Sequence, residues 1–139
     1  MEPSYEFFDH TADMGIRVRA RTLPDLLMPA AEGLYAAIGE LLAVDEASPV
    51  RFDLEGDDAA VLLRDFLTEL LILFEREKRR LVTVVESSFT TQRLTVTADI
   101  APVDVKHSVF HREVKAITYH QLSIRAIPGG YEASFIVDI

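Results

Sequence analysis

The feature that most constrains this chain is a change of period near residue 80. Beyond it the apolar residues recur every second position. Leu81–Glu86 and Phe89–Ile100 are rich in Val and Thr, the signature of strands, and the Ser87-Ser88 step between them predicts a hairpin turn. Pro102 to Arg112 is irregular. Glu113–Ala126 and Tyr131–Val137 alternate again, around a tight turn at Pro128-Gly129-Gly130. Before residue 80 the dominant period is helical. Leu26, Leu27, Ala30, Ala31, Leu34, Ala37, Ile38 and Leu41 form one stripe. Leu63, Phe66, Leu67, Leu70 and Phe74 form a second, within a helix expected from Ala59 to about Lys78. Two shorter strands precede these helices, Met14–Arg21 and Val50–Leu54. The order strand, helix, strand, helix, then strands predicts an α+β domain. Its two helices would pack on one face of a largely antiparallel sheet, with room for a parallel pair, in two layers spanning residues 1–139 as one domain.

The helix ends carry their own signals. Thr22-Leu23-Pro24-Asp25 reads as a start, with Thr22 able to cap free N–H groups and Pro24 suited to a first turn. Pro29 interrupts the first stripe, which predicts a kink or a short opening turn before the main helix. Asp57 and Asp58 precede the second helix, where its dipole favours negative charge. Arg76, Lys78, Arg79 and Arg80 gather at its other end. They read as a solvated helix terminus, with a phosphate site as the alternative.

Charge and composition narrow the function. Residues 1–60 hold 13 acidic and 4 basic groups, so the whole net charge of −9 lies there. Such a surface repels a phosphate backbone, so direct nucleic-acid binding is not expected. A cation or a basic protein partner fits better, and plain solubility is the bland alternative. Absence of cysteine excludes disulfides, thiolate metal sites and thiol nucleophiles. No secretory leader and no membrane-spanning run is read, so a cytoplasmic location is expected. No nucleophile elbow surrounds any serine, and no glycine-rich phosphate loop is present.

The polar residues concentrate at two places. Asp9-His10-Thr11-Ala12-Asp13 leads into the Met14 strand, and Val137-Asp138-Ile139 ends the sequence. If those strands are neighbours, Asp13, Asp138 and a carboxylate on Ile139 converge. Negative charges brought together need a compensating cation, and three oxygen donors suit Ca²⁺, Mg²⁺ or Mn²⁺. The other reading is that Asp13 caps a turn and Asp138 is solvated. Spacing alone leaves both open.

Four stretches occur together in order. They are Asp9-His-Thr-Ala-Asp13 with Gly15; Leu63-Arg-Asp-Phe-Leu-Thr-Glu-Leu-Leu71 with Phe74-Glu75; Glu113-Val-Lys-Ala-Ile-Thr-Tyr-His120; and Val137-Asp-Ile139. In these the chain resembles the archease family over nearly its whole length. It departs at Phe66, where the family usually has Trp, and at Met14, often Ile, both apolar exchanges at expected core positions. The resemblance implies a non-catalytic accessory protein of RtcB-type RNA ligases in tRNA splicing and RNA repair. Such a protein promotes guanylylation of the ligase and its multiple turnover. It also implies a divalent cation held by Asp13, Asp138 and Ile139.

Three further residues are candidates around that site. His10 is a second donor able to orient Asp13, or a satisfied turn histidine. Glu113 and Lys115 would share a strand face, Glu113 adding to the acidic group and Lys115 pairing with it or meeting a partner. An ordinary cross-strand ion pair is the alternative. His107 and His111 lack the helical context of a zinc pair, and His120 reads as a packed or hydrogen-bonded strand histidine. Two other functions remain in play. One is a small metal-dependent phosphoesterase using Asp13 and Asp138 as ligands and His10 as base. The other is a chaperone-like binding module.

Overall fold

The computed structural model describes residues 1–10 and 12–139. Strand β1 (Ser4–His10) pairs antiparallel with β2 (Asp13–Ala20), in register from Ser4↔Arg19 to His10↔Asp13. The aromatic stretch before the polar knot is therefore itself a strand. Thr11, the central residue of that knot, lies outside the described residues.

The first helix opens as its sequence implies. Thr22 Oγ1 accepts the Asp25 N–H at 3.2 Å, a 3₁₀ turn covers Pro24–Leu26, and α1 runs from Leu27 to Ile38. Pro29 falls in the first turn of α1, where a missing N–H removes no intrahelical bond. After β3 (Gly39–Glu40) and β4 (Ser48–Glu55) comes α2 (Ala59–Glu77). Asp58 caps it, its Oδ1 accepting from the N–H groups of Ala60 (2.8 Å) and Val61 (3.4 Å). Lys78, at φ 51°, turns the chain out of the helix.

The cations at the end of α2 are not grouped around an anion: Arg76 and Lys78 are exposed, as a solvated helix end implies, while Arg79 and Arg80 are half-buried. Arg80 donates to the carbonyls of Leu41 (2.8 Å) and Leu81 (3.0 Å), and stacks 4.4 Å from the Tyr35 ring centre. Lys78 Nζ lies over Phe74, and Arg79 reaches Ser48 and Glu77.

The hairpin that follows turns later than expected. β5 (Arg79–Phe89) and β6 (Arg93–Pro102) are joined at Thr90-Thr91-Gln92. Ser87 and Ser88 lie inside β5, opposite Val96 and Thr95. The turn belongs to Thr90, whose hydroxyl accepts the N–H groups of Gln92 (3.2 Å) and Arg93 (3.1 Å). A threonine side chain closes the turn, and the two serines belong to the strand.

The end of the chain supplies β7 (Val109–Phe110), β8 (Ala116–Ile117), β9 (Ser123–Ile127) and β10 (Gly130–Asp138). The long alternating stretch 113–126 is thus broken in two. β9 pairs with residues 130–134 of β10 and β8 with Val137 and Asp138. The chain leaves the sheet between them through a turn with Gln121 at φ 53°.

All strand pairings among the described residues are antiparallel, and they form three sheets rather than one: β1-β2-β10-β8 with β9 also on β10, β4-β6-β5, and the short β3-β7 ribbon. α1 packs on β1 and β2, while α2 packs on β4, β5, β6 and β8. The core is continuous across both larger sheets and both helices. It includes Ile16, Val18, Leu34, Phe66, Leu70, Val96 and Phe135. Phe66 is fully buried and Met14 packs against the same cluster, so the two departures from the family pattern are core exchanges.

Candidate metal centre

The pairing that relates the two polar stretches is that of β2 with β10. It runs from Tyr131↔Ala20 to Val137↔Met14. Continuing the register by one residue sets Asp138 opposite Asp13. Residues directly opposite in an antiparallel pair share a face, with Cβ atoms about 4.5–5.5 Å apart. Ile16, Val18, Phe135 and Val137 point into the core, so Asp13 and Asp138, of the other parity, belong to the outer face. Both are half-buried. Neither takes part in a salt bridge among the described residues.

Across the hairpin Asp13 pairs with His10. The His10 Nδ1 atom is buried and has no hydrogen-bond partner among the described residues, and the ring meets that of His120 edge-on at 5.1 Å. His120 itself is exposed and stands in a turn rather than in the strand its sequence context suggested. On the other side of β10, Asp138 pairs with Ala116, and the Lys115 N–H donates to the Asp138 carbonyl at 2.7 Å.

Glu113 and Lys115 do not lie on a regular strand, because residues 111–115 form no ladder. Their expected common face is lost for that reason. Glu113 instead lines a cavity of about 500 Å³ with Ile38, Phe74, Lys78 and Phe110. His107 is engaged in its own turn, with Nδ1 2.8 Å from Asp104 Oδ2. Hydrogen bonding to His107 holds the Asp104 carboxyl below the usual range.

Further along the same outer face the charges are paired. Glu132 is buried and receives Arg125 (Nη2 at 2.7 Å, Nε at 3.1 Å) and Arg19 (Nε at 2.8 Å). The hydrogen bonds from Arg125 and then Arg19 outweigh desolvation and lower the Glu132 pKa. Arg17 pairs with Glu6 at 2.9 Å and lies over the Phe8 ring. Gly15 makes room for that ring: a Cβ there would overlap it. The three arginines of this face are thus committed, and the unpaired carboxylates stand at one end of it.

The donor set fits a hard divalent cation. Asp13 and Asp138 offer oxygen only, and unpaired like charges facing each other across strands destabilise the sheet unless compensated. Among the described residues no three His, Asp or Glu side chains form a metal cage. Ile139, which directly follows Asp138, is a candidate third donor.

Residues 5–139 match the model of the Archease protein family (MTH1598/TM1083). The chain belongs to the archease family. Protein archease of Methanopyrus kandleri is 34% identical over 143 residues, covering 97% of this chain and 99% of that protein. Protein archease of Thermococcus gammatolerans is 32% identical over 139 residues, covering 97% and 98%. The solution structure of Methanobacterium thermoautotrophicum protein 1598 superposes with a TM-score of 0.76 at 26% identity, over the whole of both chains. A Thermotoga maritima archease, described as a possible chaperone, shares the fold at 17% identity, with a TM-score of 0.70 over 95% of this chain and 94% of that one. The archease fold therefore accounts for the whole architecture. No helix among the described residues is long and apolar enough to cross a membrane.

Proposed function

We propose that this archease is a divalent-metal-binding accessory protein that activates an RtcB-type, GTP-dependent RNA ligase in the cytoplasm. It would promote guanylylation of the ligase and its multiple turnover in tRNA splicing and RNA repair, and would not be an enzyme itself. The observation that carries the reading is the β2–β10 register, which sets Asp138 one step beyond the Val137↔Met14 pair and opposite Asp13. Asp13, Asp138 and a carboxylate on Ile139 would hold Ca²⁺, Mg²⁺ or Mn²⁺. When bound, the ion would offset two of these three negative charges and relieve the repulsion between the carboxylates. His10 and Lys115, which flank the pair, would orient it or meet the ligase; Glu113, on the neighbouring cavity, would act only as a partner contact.

The phosphoesterase alternative has less support. Such an enzyme needs cations to clamp phosphate, and the arginines of this face are held by Glu6 and Glu132, which leaves Lys115 alone to serve beside the pair among the described residues. Its candidate base, His10, has its Nδ1 buried. Acidic charge near the site also argues against direct RNA binding.

The test is a guanylylation time course of the ligase with and without this protein, in Mn²⁺ or Mg²⁺. Acceleration is expected. No change in rate, or turnover of a generic phosphodiester by the protein alone, overturns the reading.

A further inference from the structure

Arg64 sits on α2, far in sequence from both carboxylates, and is mostly buried, with 19% of its side chain exposed. It makes three contacts. Nε donates to the Ile117 carbonyl at 3.0 Å, Nη1 pairs with Asp65 at 2.9 Å, and the guanidinium lies 4.1 Å from the Tyr119 ring centre. Ile117 ends β8, the two-residue strand that flanks Asp138. Such a short strand has little hold of its own. Its other attachments are the Ile117 side chain, buried in the core, the Lys115 N–H to Asp138 O (2.7 Å) and the Thr118 N–H to Ile136 O (2.9 Å). Beyond it, Thr118 Oγ1 accepts the His120 N–H, and the His120 ring reaches His10 beside Asp13.

Residues 115–120 thus form a strap that touches the backbone of Asp138 at one end and the cross-strand neighbour of Asp13 at the other. Among the described residues, Arg64 alone ties the middle of this strap to a helix by a side-chain hydrogen bond. We infer that Arg64 is a positioning residue for the Asp13–Asp138 pair, acting through the strap and through Tyr119. The inference rests on the metal-binding reading above. Arginine is needed because its planar fork donates sideways and stacks on a ring at once. A lysine ammonium offers charge without that geometry.

The test compares wild type with Arg64→Lys and with Tyr119→Leu. Tyr119 is 61% exposed, so its replacement does not threaten folding. Amide hydrogen exchange is read at Lys115 and Thr118, with Ser134 as a control in β10, and Mn²⁺ or Ca²⁺ affinity is read by calorimetry. Both variants are expected to exchange about tenfold faster at Lys115 and Thr118 but not at Ser134. They should also bind the ion about tenfold more weakly, the usual effect of losing an outer support of a metal site. Tyr119→Phe keeps the ring and should behave as wild type. Unchanged protection at Lys115 and Thr118, or lost protection with unchanged affinity, overturns the positioning role. If wild type itself binds no divalent ion, the metal reading fails, and Arg64 is judged on the exchange data alone.

Discussion

Val137 lies opposite Met14 in the antiparallel ladder between the second and the last strand. This pair sets the Asp9–Asp13 stretch beside Val137-Asp138, and one step further along the same register Asp138 and Asp13 fall on one face of the sheet.

Asp13→Ala should lower divalent-metal affinity by about tenfold or more, roughly 1.4 kcal/mol, and abolish ligase activation. Removing one of two facing carboxylates also relieves repulsion. Stability without metal should therefore stay the same or rise. Circular dichroism with a calorimetric Mn²⁺ titration checks both. An unfolded variant would make Asp13 a structural residue.

A C-terminal tag should weaken metal binding, while an N-terminal tag should not. Residues appended after Ile139 would leave an amide in place of any carboxylate there and add bulk beside Asp138. Titrations of the two tagged proteins decide this. Equal affinities would leave Asp13 and Asp138 as the sole protein ligands.

Glu132 should make folding sensitive to acid. Its folded pKa is lowered, chiefly by hydrogen bonds from Arg125 and Arg19. The unfolded chain therefore binds its proton first as pH falls. The stabilisation is complete above the ordinary glutamate value of 4.5 and is lost as pH drops through the folded value. Glu132→Gln should cost about 1.5–3 kcal/mol at pH 7, the range for hydrogen bonds to a charged group, and should flatten the acid limb. Urea unfolding from pH 7 to pH 3 measures both.

Tyr35 should set the alkaline limit. Burial pushes its hydroxyl up to about 12, while its hydrogen bond with the Leu81 N–H at 2.9 Å pulls the other way. An acid group with a raised folded pKa loses its proton first in the unfolded chain. Stability should then fall as pH rises from the ordinary value of 10 towards 12. Tyr35→Phe should remove that slope and cost about 1–3 kcal/mol at pH 7, because the buried Leu81 N–H loses its acceptor.

Local chemistry was legible wherever one residue acts on its neighbours. Thr22 and Asp58 cap the helices they precede, and Pro29 falls in a first turn. The stripe Leu63, Phe66, Leu67, Leu70 and Phe74 is buried along α2. Where two chemistries competed, sequence pattern misled. Ser87-Ser88 resembles a turn, yet both residues find partners in β6, and Thr90 closes the loop with its own hydroxyl. The alternation from Glu113 to Ala126 implies one strand. β10 instead takes β9 and β8 in succession, and the chain between them leaves the sheet.

The sequence by itself determined the periods, the helix ends, the acidic first half and the two polar termini, because each follows from residues within a turn or two of one another. It also carried the family. Tertiary structure alone decided that β2 and β10 are neighbours, in a register that sets Asp138 opposite Asp13. It also committed Arg17, Arg19 and Arg125 to glutamates and brought Arg64 to the strap beside the last strand. Strand order and register depend on which distant apolar faces bury together, and a shift of one residue would turn either carboxylate to the other side of the sheet.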